Sequence, residues 1–298
     1  MQVLQLQYFC AVARHGNISR AAEELWISQS ALSKAIGALE DELEVRLFER
    51  IGRSISLNEA GRLFLAQVTQ ILQQLDDSIK QARDIYGRSN RVRLLMSAAN
   101  FSSHWIWQSF RLQHPAIDLQ VNSCYTVTQY DIMQNDFHIF ATPHEFENTA
   151  CLQLVEEELY LAMGRHHPLA AQENVSLADT KPYLYQTLTP NENLRANLAS
   201  FCRSAGFVPQ IGFCTEDSFT YFEMLASNDY LALVPSITAS SALHADLILK
   251  TVSEPRCYRT VYLGWNDNRY MSAADRVFVD FCRELFKEPY REPMAAEK

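Results

Sequence analysis

Through the first third of the chain apolar residues recur every three or four positions; beyond Arg91 short apolar runs alternate with helical stretches. In VLQLQYFCAVARHG, Leu4, Phe9, Val12 and Ala13 fall near one face, and His15-Gly16 supplies a stop. Ser19 reads as an N-cap before RAAEEL, with Glu23 and Glu24 near the positive end of that helix. Trp26-Ile27 reads as a tight apolar connection, after which Ser28 caps SQSALSKAIGALE. On a helical wheel Ala31, Leu32, Ala35, Ala38 and Leu39 form a core side, while Gln29, Ser30, Ser33, Lys34 and Gly37 form an exposed one. Solvated helix faces are usually rich in Glu and Lys. This one is short and polar, and its first turn is a helix N-terminus, which attracts phosphate. Such a face suits the major groove, where short side chains let a helix approach base edges.

Arg46 to Leu57 reads as a small β-hairpin around Gly52, carrying Arg46, Arg50 and Arg53. It has the character of a wing acting on the DNA backbone and minor groove. From Asn58 a long helix follows, with Phe64, Val68, Ile71, Leu75, Ile79, Ala82 and Tyr86 in one stripe. At roughly 28 residues and about 40 Å it exceeds what a globular domain needs, so pairing with its copy in a second subunit is expected. GRSNR, residues 87 to 91, is a hinge-like break.

VRLLM, DLQVNSCY, FHIFA, LVEEELYLAMG, LYQTL, QIGFC, YLALVP and RTVYLGW read as strands. Helices are expected over Ser102 to Phe110 and in TVTQYDIMQN, ENLRANLASFCRSAG, SFTYFEMLASN and SAADRVFVDFCRELF. Two α/β lobes with a cleft between them account for this order. The expected organisation is a DNA-binding domain at 1–58, a linker helix at 59–87 and an effector domain at 88–298. Within the last, lobe one spans about 91–162 and 266–288, and lobe two about 163–265.

The 298 residues, 48% of them hydrophobic, suffice for two or three compact units. No apolar run approaches the ~18 residues of a membrane span. The N-terminal stretch lacks the basic segment, apolar core and cleavage site of a secretory signal, so a cytoplasmic, membrane-free location is expected. Seven scattered cysteines with no Cys-x-x-Cys read as reduced, mostly buried thiols. His166-His167 reads as a turn before Pro168 rather than a metal site, and no metal or cofactor is expected. A net charge of -9 opposes DNA binding only globally, because affinity for DNA comes from a local basic footprint. Enzyme motifs are missing: there is no Gly-x-Ser-x-Gly, P-loop, His-Glu-x-x-His or dinucleotide fingerprint, and Asp118 and Asp217 belong to no catalytic pattern. A ligand-binding protein without DNA function is the other alternative to a regulator; it leaves the polar face of Gln29 to Lys34 unexplained.

The stretch FCAVARHGNISRAAEELWISQSALSKAIGALEDELEVRLFERIGRSISLNEAG resembles the N-terminal signature of the LysR-type transcriptional regulators. Ordered, weaker echoes follow in LVEEELYLAMGRHHPLA, VSLADTKPYLY, RSAGFVPQI, MLASNDYLALVP and SAADRVFVDFCREL. The resemblance implies a winged helix-turn-helix, a dimerising linker helix and a two-lobed α/β effector domain like type 2 periplasmic binding proteins. It further implies a homotetramer on double-stranded promoter DNA, RNA polymerase as a further candidate partner, and a small molecule in the cleft as the switch.

By match of position, the resemblance gives recognition roles to Gln29, Ser30, Ser33 and Lys34, and wing roles to Arg50 and Arg53. Ser30 stands where many members have proline. For the effector it implicates Asn100, Ser102, Ser103, Thr126, Thr128, Thr187, Thr189, Asn193 and Phe219. Converging helix N-termini and hydroxyls there favour a small anion such as a carboxylate. Trp105, Tyr125, Tyr130 and Tyr221 are expected to pack in the core, with a wall of the same cleft as the alternative. Peroxide-sensing members carry a reactive cysteine where this chain has Asn193 and a second where it has Cys202, so that disulfide switch is expected to be absent and Cys202 to be a core thiol. Asn228-Asp229-Tyr230 replaces a glycine-rich turn common in the family.

Overall fold

The structure, a computed structural model, describes residues 1–51, 54–98, 103–124, 127, 129–141, 149–188, 192–227, 229–236 and 246–287. The chain divides into two compact units. The first is Met1–Ser89 with Thr128–Gln134 and Asn268–Ser272, and the second is the remainder.

In the first unit α1 (Val3–His15), α2 (Ile18–Glu24) and α3 (Gln29–Leu43) enclose a core in which Phe9, Val12, Ala21, Leu32 and Leu39 are fully buried. A two-stranded hairpin follows: β1 (Phe48–Ile51) runs antiparallel to β2 (Ser54–Leu57), with Phe48 opposite Leu57. Then comes α4 (Glu59–Asp84), 26 residues long and capped by Asn58, whose side chain accepts from the Gly61 amide at 2.8 Å. The Phe9 ring joins these parts, lying 5.4 Å from Phe48 and 5.2 Å from Phe64. Gly61 is required sterically, since a side chain there would overlap the Leu47 carbonyl. The unit's inserted segments contribute α6 (Gln129–Gln134) and Tyr270, whose hydroxyl donates to Asp84 Oδ2 at 2.8 Å.

Several local expectations are corrected. The N-cap of α2 is Asn17, not Ser19: its side chain accepts from the Arg20 amide at 3.1 Å, and Ser19 lies inside the helix. Leu4 is 50% exposed, and α1 buries Leu6 and Cys10 instead. Trp26 is 93% exposed and so forms no apolar connection. On α3 the inward stripe is Leu32, Ile36 and Leu39, while Ala31 and Ala38 face solvent. Burial of a large aliphatic side chain is worth more than burial of a methyl, so the leucines and the isoleucine set the helix's rotation. On α4 the single predicted stripe is two. Val68 and Leu72 enter the core with Phe64 packed against it, whereas Ile71, Leu75 and Ile79 are 54%, 40% and 41% exposed.

In the second unit β3 (Arg91–Met96) pairs in parallel with β4 (Asp118–Ser123) and β5 (Phe137–Phe140). Next to β5 runs β11 (Tyr258–Asn266), antiparallel. The long strand β6 (Thr149–Gly164) lies against β11 over its first part, then takes β9 (Ala232–Pro235) and β10 (Leu247–Lys250) as antiparallel neighbours. β6 thus begins earlier than LVEEELYLAMG suggests and crosses from one lobe to the other; β10, in LILK, is a strand that the sequence reading omits. Helices α5 (Ser103–Gln113) and α9 (Ala273–Leu285) meet through aromatic edges, Phe110 lying 5.3 Å from Phe278 and 5.0 Å from Phe281. In the other lobe β7 (Leu184–Leu188) and β8 (Gln210–Thr215) form a parallel pair. With them come α7 (Glu192–Ser204) and α8 (Ser218–Ser227), and a core holding Leu159, Leu161, Tyr185, Leu198 and Cys202.

Candidate nucleic-acid interface

The exposed side of α3 is set by its buried side. With Leu32, Ile36 and Leu39 fixed inward, Gln29, Ser30, Ser33 and Lys34 all stand exposed. Ser28 caps the helix, its hydroxyl accepting from the Ala31 amide at 3.2 Å and lying 3.1 Å from the Ser30 hydroxyl. Ser19 Oγ donates to Gln29 Oε1 at 3.2 Å, which ties the first turn of α3 to α2. Gly37 continues the face. A mid-helix glycine costs about 1 kcal/mol relative to alanine, and here a Cβ would meet nothing within 4 Å. Among the described residues nothing requires the glycine, and it leaves this part of the α3 surface without a side chain.

Between α3 and the hairpin lies a cavity of about 380 Å³, lined by Ser33, Gly37 and Ile36 on the helix and by Phe48 and Ile55 on the strands. Glu40 lines it as well. Glu40 is buried, and its carboxylate accepts from the Leu47 amide at 2.7 Å, the Phe48 amide at 3.2 Å and Arg46 Nη1 at 2.8 Å. One side chain therefore fixes where the hairpin leaves α3. Arg46 is occupied by Glu40 and approaches Asp41 at 3.8 Å, so it belongs to this joint. On the far side of α2, Glu24 pairs with Arg14 and with His15 Nε2. Burial pulls its carboxyl upward, but the hydrogen bonds from His15 and Arg14 outweigh this and hold it below the usual range.

Of the wing residues, Arg50 lies on β1 with a side chain outside the described set, and Arg53 lies outside the described residues. So do Asn100, Ser102, Tyr125, Thr126, Thr128, Thr189 and Asn228. Asn193 falls on α7, and its side chain and that of Tyr130 are likewise outside the description. Ser103 opens α5 and is half-buried. Thr187 is buried on β7, its hydroxyl 3.3 Å from the Cys214 sulfur. Phe219 is 64% exposed on the first turn of α8. Tyr221 packs in the core, and Trp105 meets Phe286 edge-on at 5.4 Å.

Two buried polar groups escaped the sequence reading. Ser97 Oγ lies 2.7 Å from His138 Nε2 at the ends of β3 and β5. Gln186 donates to the Tyr221 carbonyl at 2.6 Å while its own Oε1 has no partner. The signal in each case is a polar residue inside an otherwise apolar strand. Cys202 is fully buried, and desolvation pushes its thiol up to about 11 despite a hydrogen bond from Tyr185; it is a core thiol. His167 caps the short 3-10 turn Pro168–Ala171, its Nδ1 accepting from the Leu169 amide at 3.1 Å. Among the described residues no cluster could hold a metal ion, and no helix is long and apolar enough to cross a membrane.

Known proteins carry the same arrangement. Residues 3–62 match the lysR family of bacterial regulatory helix-turn-helix proteins, and residues 87–287 match the LysR substrate binding domain. The HTH-type transcriptional regulator YybE of Bacillus subtilis is 26% identical over 295 residues, covering 97% of this chain and 100% of its own. The DNA-binding transcriptional dual regulator OxyR of Escherichia coli is 26% identical over 289 residues, covering 93% and 95%. Among solved structures, CbnR, a LysR family transcriptional regulator, superposes with a TM-score of 0.66 at 20% identity, covering 97% of this chain and 100% of that one. Full-length CbnR complexed with its target DNA gives 0.62 at 21% identity, covering 95% and 99%. With its N-terminal helix-turn-helix and its C-terminal substrate-binding domain both matched, the chain belongs to the LysR family and is a LysR-type DNA-binding transcriptional regulator.

Proposed function

We propose that α3 enters the major groove of promoter DNA with Gln29, Ser30, Ser33 and Lys34 at base edges and nearby phosphates, while Arg50 and Arg53 of the wing follow the backbone. The single observation that carries this is the outward side of α3: short, polar and cleared by Gly37, with no Glu among its central residues. Residues 1–58 would form the DNA-binding domain, 59–87 the linker and 88–298 the effector domain. Ile71, Leu75 and Ile79 recur every fourth residue on α4 and are substantially exposed, which favours self-association along this helix. A dimer paired there, and a tetramer of two such dimers, would present recognition helices to successive grooves.

A small molecule bound between the lobes would act by shifting the population of dimer or tetramer arrangements, which requires different affinities for the two states. Ser103, Thr187 and Phe219, with Asn100, Ser102, Thr126, Thr128, Thr189 and Asn193, are the positions assigned to it, and an anion is the ligand class these hydroxyls and amides suit. The protein would act in the cytoplasm, without catalysis, with RNA polymerase as the eventual partner.

Footprinting with purified full-length protein tests the DNA reading. Ser33→Ala should change base preference, and Arg53→Ala should weaken binding across sequences and lower the salt slope by about one. Footprints that neither substitution alters would overturn the assigned surface. A thermal-shift screen of small carboxylates against the full chain tests the effector reading.

A further inference from the structure

The C-terminal end of α2 is a Schellman turn. The Ile27 amide donates to the Ala22 carbonyl at 3.0 Å and the Trp26 amide to the Glu23 carbonyl at 3.2 Å. This geometry places one residue in the left-handed region, where glycine is the usual occupant. α4 and α7 end in the same pair of bonds around Gly87 (φ 62) and Gly206 (φ 84). At the end of α2 the residue is Trp26, with φ 55. A bulky side chain is strained there, and such strain persists where something else compensates for it.

Among the described residues no compensating contact is seen. The indole is 93% exposed, although tryptophan is highly buried on average. Exposed Glu44 shares this backbone strain, so the strain alone marks no ligand; a large apolar ring held out in solvent does point to a partner, and the position identifies it. Trp26 precedes by two residues the cap of α3, Ser28, and by three and four the exposed Gln29 and Ser30. The strained backbone therefore presents the ring at the entry of the helix that reads DNA. An indole offers a flat apolar face and one N–H donor. The sugar–phosphate backbone beside a groove offers the complement, an apolar deoxyribose and an acceptor oxygen.

We infer that Trp26 is a DNA-backbone contact, its ring against a deoxyribose and its Nε1–H donating to a phosphate oxygen. This rests on the DNA-reading role of α3. The contact is uncharged, so it releases no counterion. It fixes the depth and register of α3 without reading sequence.

The test uses full-length protein, a short duplex selected from a random pool by the parent protein, and an unselected duplex, with affinities measured over a range of KCl concentrations. Trp26→Asn keeps a residue tolerant of the left-handed conformation. It should weaken both duplexes by roughly five- to tenfold, the loss of one neutral hydrogen bond and its packing, and leave the slope of log affinity against log salt unchanged. Its melting temperature should rise. Glu44→Gly is the control: exposed Glu44 (φ 55) ends α3 with the same two bonds, so the substitution relieves the same strain and should weaken binding to neither duplex.

Parent-like affinity of Trp26→Asn for both duplexes overturns the inference. Weakening confined to the selected duplex overturns the backbone assignment in favour of a base contact, and a fall in melting temperature shows that the indole is held internally after all. A parent protein that binds neither duplex fails at the earlier step, the role of α3 itself.

Discussion

Replacing Glu40 by alanine tests how the wing is held to the recognition helix. The substitution deletes the acceptor for two backbone amides, of Leu47 at 2.7 Å and Phe48 at 3.2 Å. Leu47 is 2% exposed, so its N–H has little access to water in compensation. A buried donor left without a partner costs about 1–3 kcal/mol, and the half-buried Phe48 amide adds less, giving about 2–4 kcal/mol in all. Against a typical total of about 5–15 kcal/mol that is a large share, and with a urea dependence of about 1–3 kcal/mol per molar the midpoint should fall by one to two molar. Glu40→Gln separates acceptor from charge. Its amide oxygen still serves Leu47, and the lost ion pair matters little because the Arg46 side chain is 70% exposed and screened by water. The order of urea midpoints should therefore be parent, Glu40→Gln, then well below them Glu40→Ala, with amide exchange at Leu47 and Phe48 accelerated only in the last. If Glu40→Gln falls as far as Glu40→Ala, charge rather than acceptor geometry holds the joint and the reasoning fails.

Charges placed on the exposed stripe of α4, as Leu75→Glu with Ile79→Glu, should reduce the sedimenting species to single protomers; an unchanged size would mean that this stripe is not the interface. In the second unit Glu157 and Arg259 pair while almost fully buried, Arg259 Nε lying 2.5 Å from Glu157 Oε1. Glu157→Leu alone strands the guanidinium and should cost about 3–5 kcal/mol. Adding Arg259→Met should recover most of this, and a double variant no more stable than the single one would contradict the account. Burial holds His167 below the ordinary imidazole value, with Asp229 partly opposing. As pH falls the unfolded chain therefore takes up the proton first. The stability associated with neutral His167 is present above the ordinary value near 6.5 and is lost as pH falls through it towards the folded value. The urea midpoint of the parent should drop more steeply than that of His167→Phe between about pH 7.5 and about pH 5.5, and parallel curves would refute the assignment.

The sequence by itself determined what depends on neighbours along the chain. Asn58 and Ser28 were legible as caps or boundaries, Gly16 as a stop, the hairpin from its alternation, and most strands of the second unit from short apolar runs bounded by turns. The polar face of α3 was legible because helical periodicity is a local property, and the family signature was legible because it runs continuously through residues 9 to 61. Tertiary structure decided the choices between locally equivalent options. It rotated α3 so that Ile36 went inside and Ala31 and Ala38 outside, because the whole core gains more from the larger side chain. It divided the apolar positions of α4 between its own core and an exposed stripe, which one helix's period cannot do alone. It gave Glu40 its purpose, since the amides that carboxylate satisfies lie seven and eight residues further on, across a turn. It also turned Trp26 outward. An apolar letter in the sequence predicts burial, but the backbone bonds that end α2 leave that side chain nowhere inside to go.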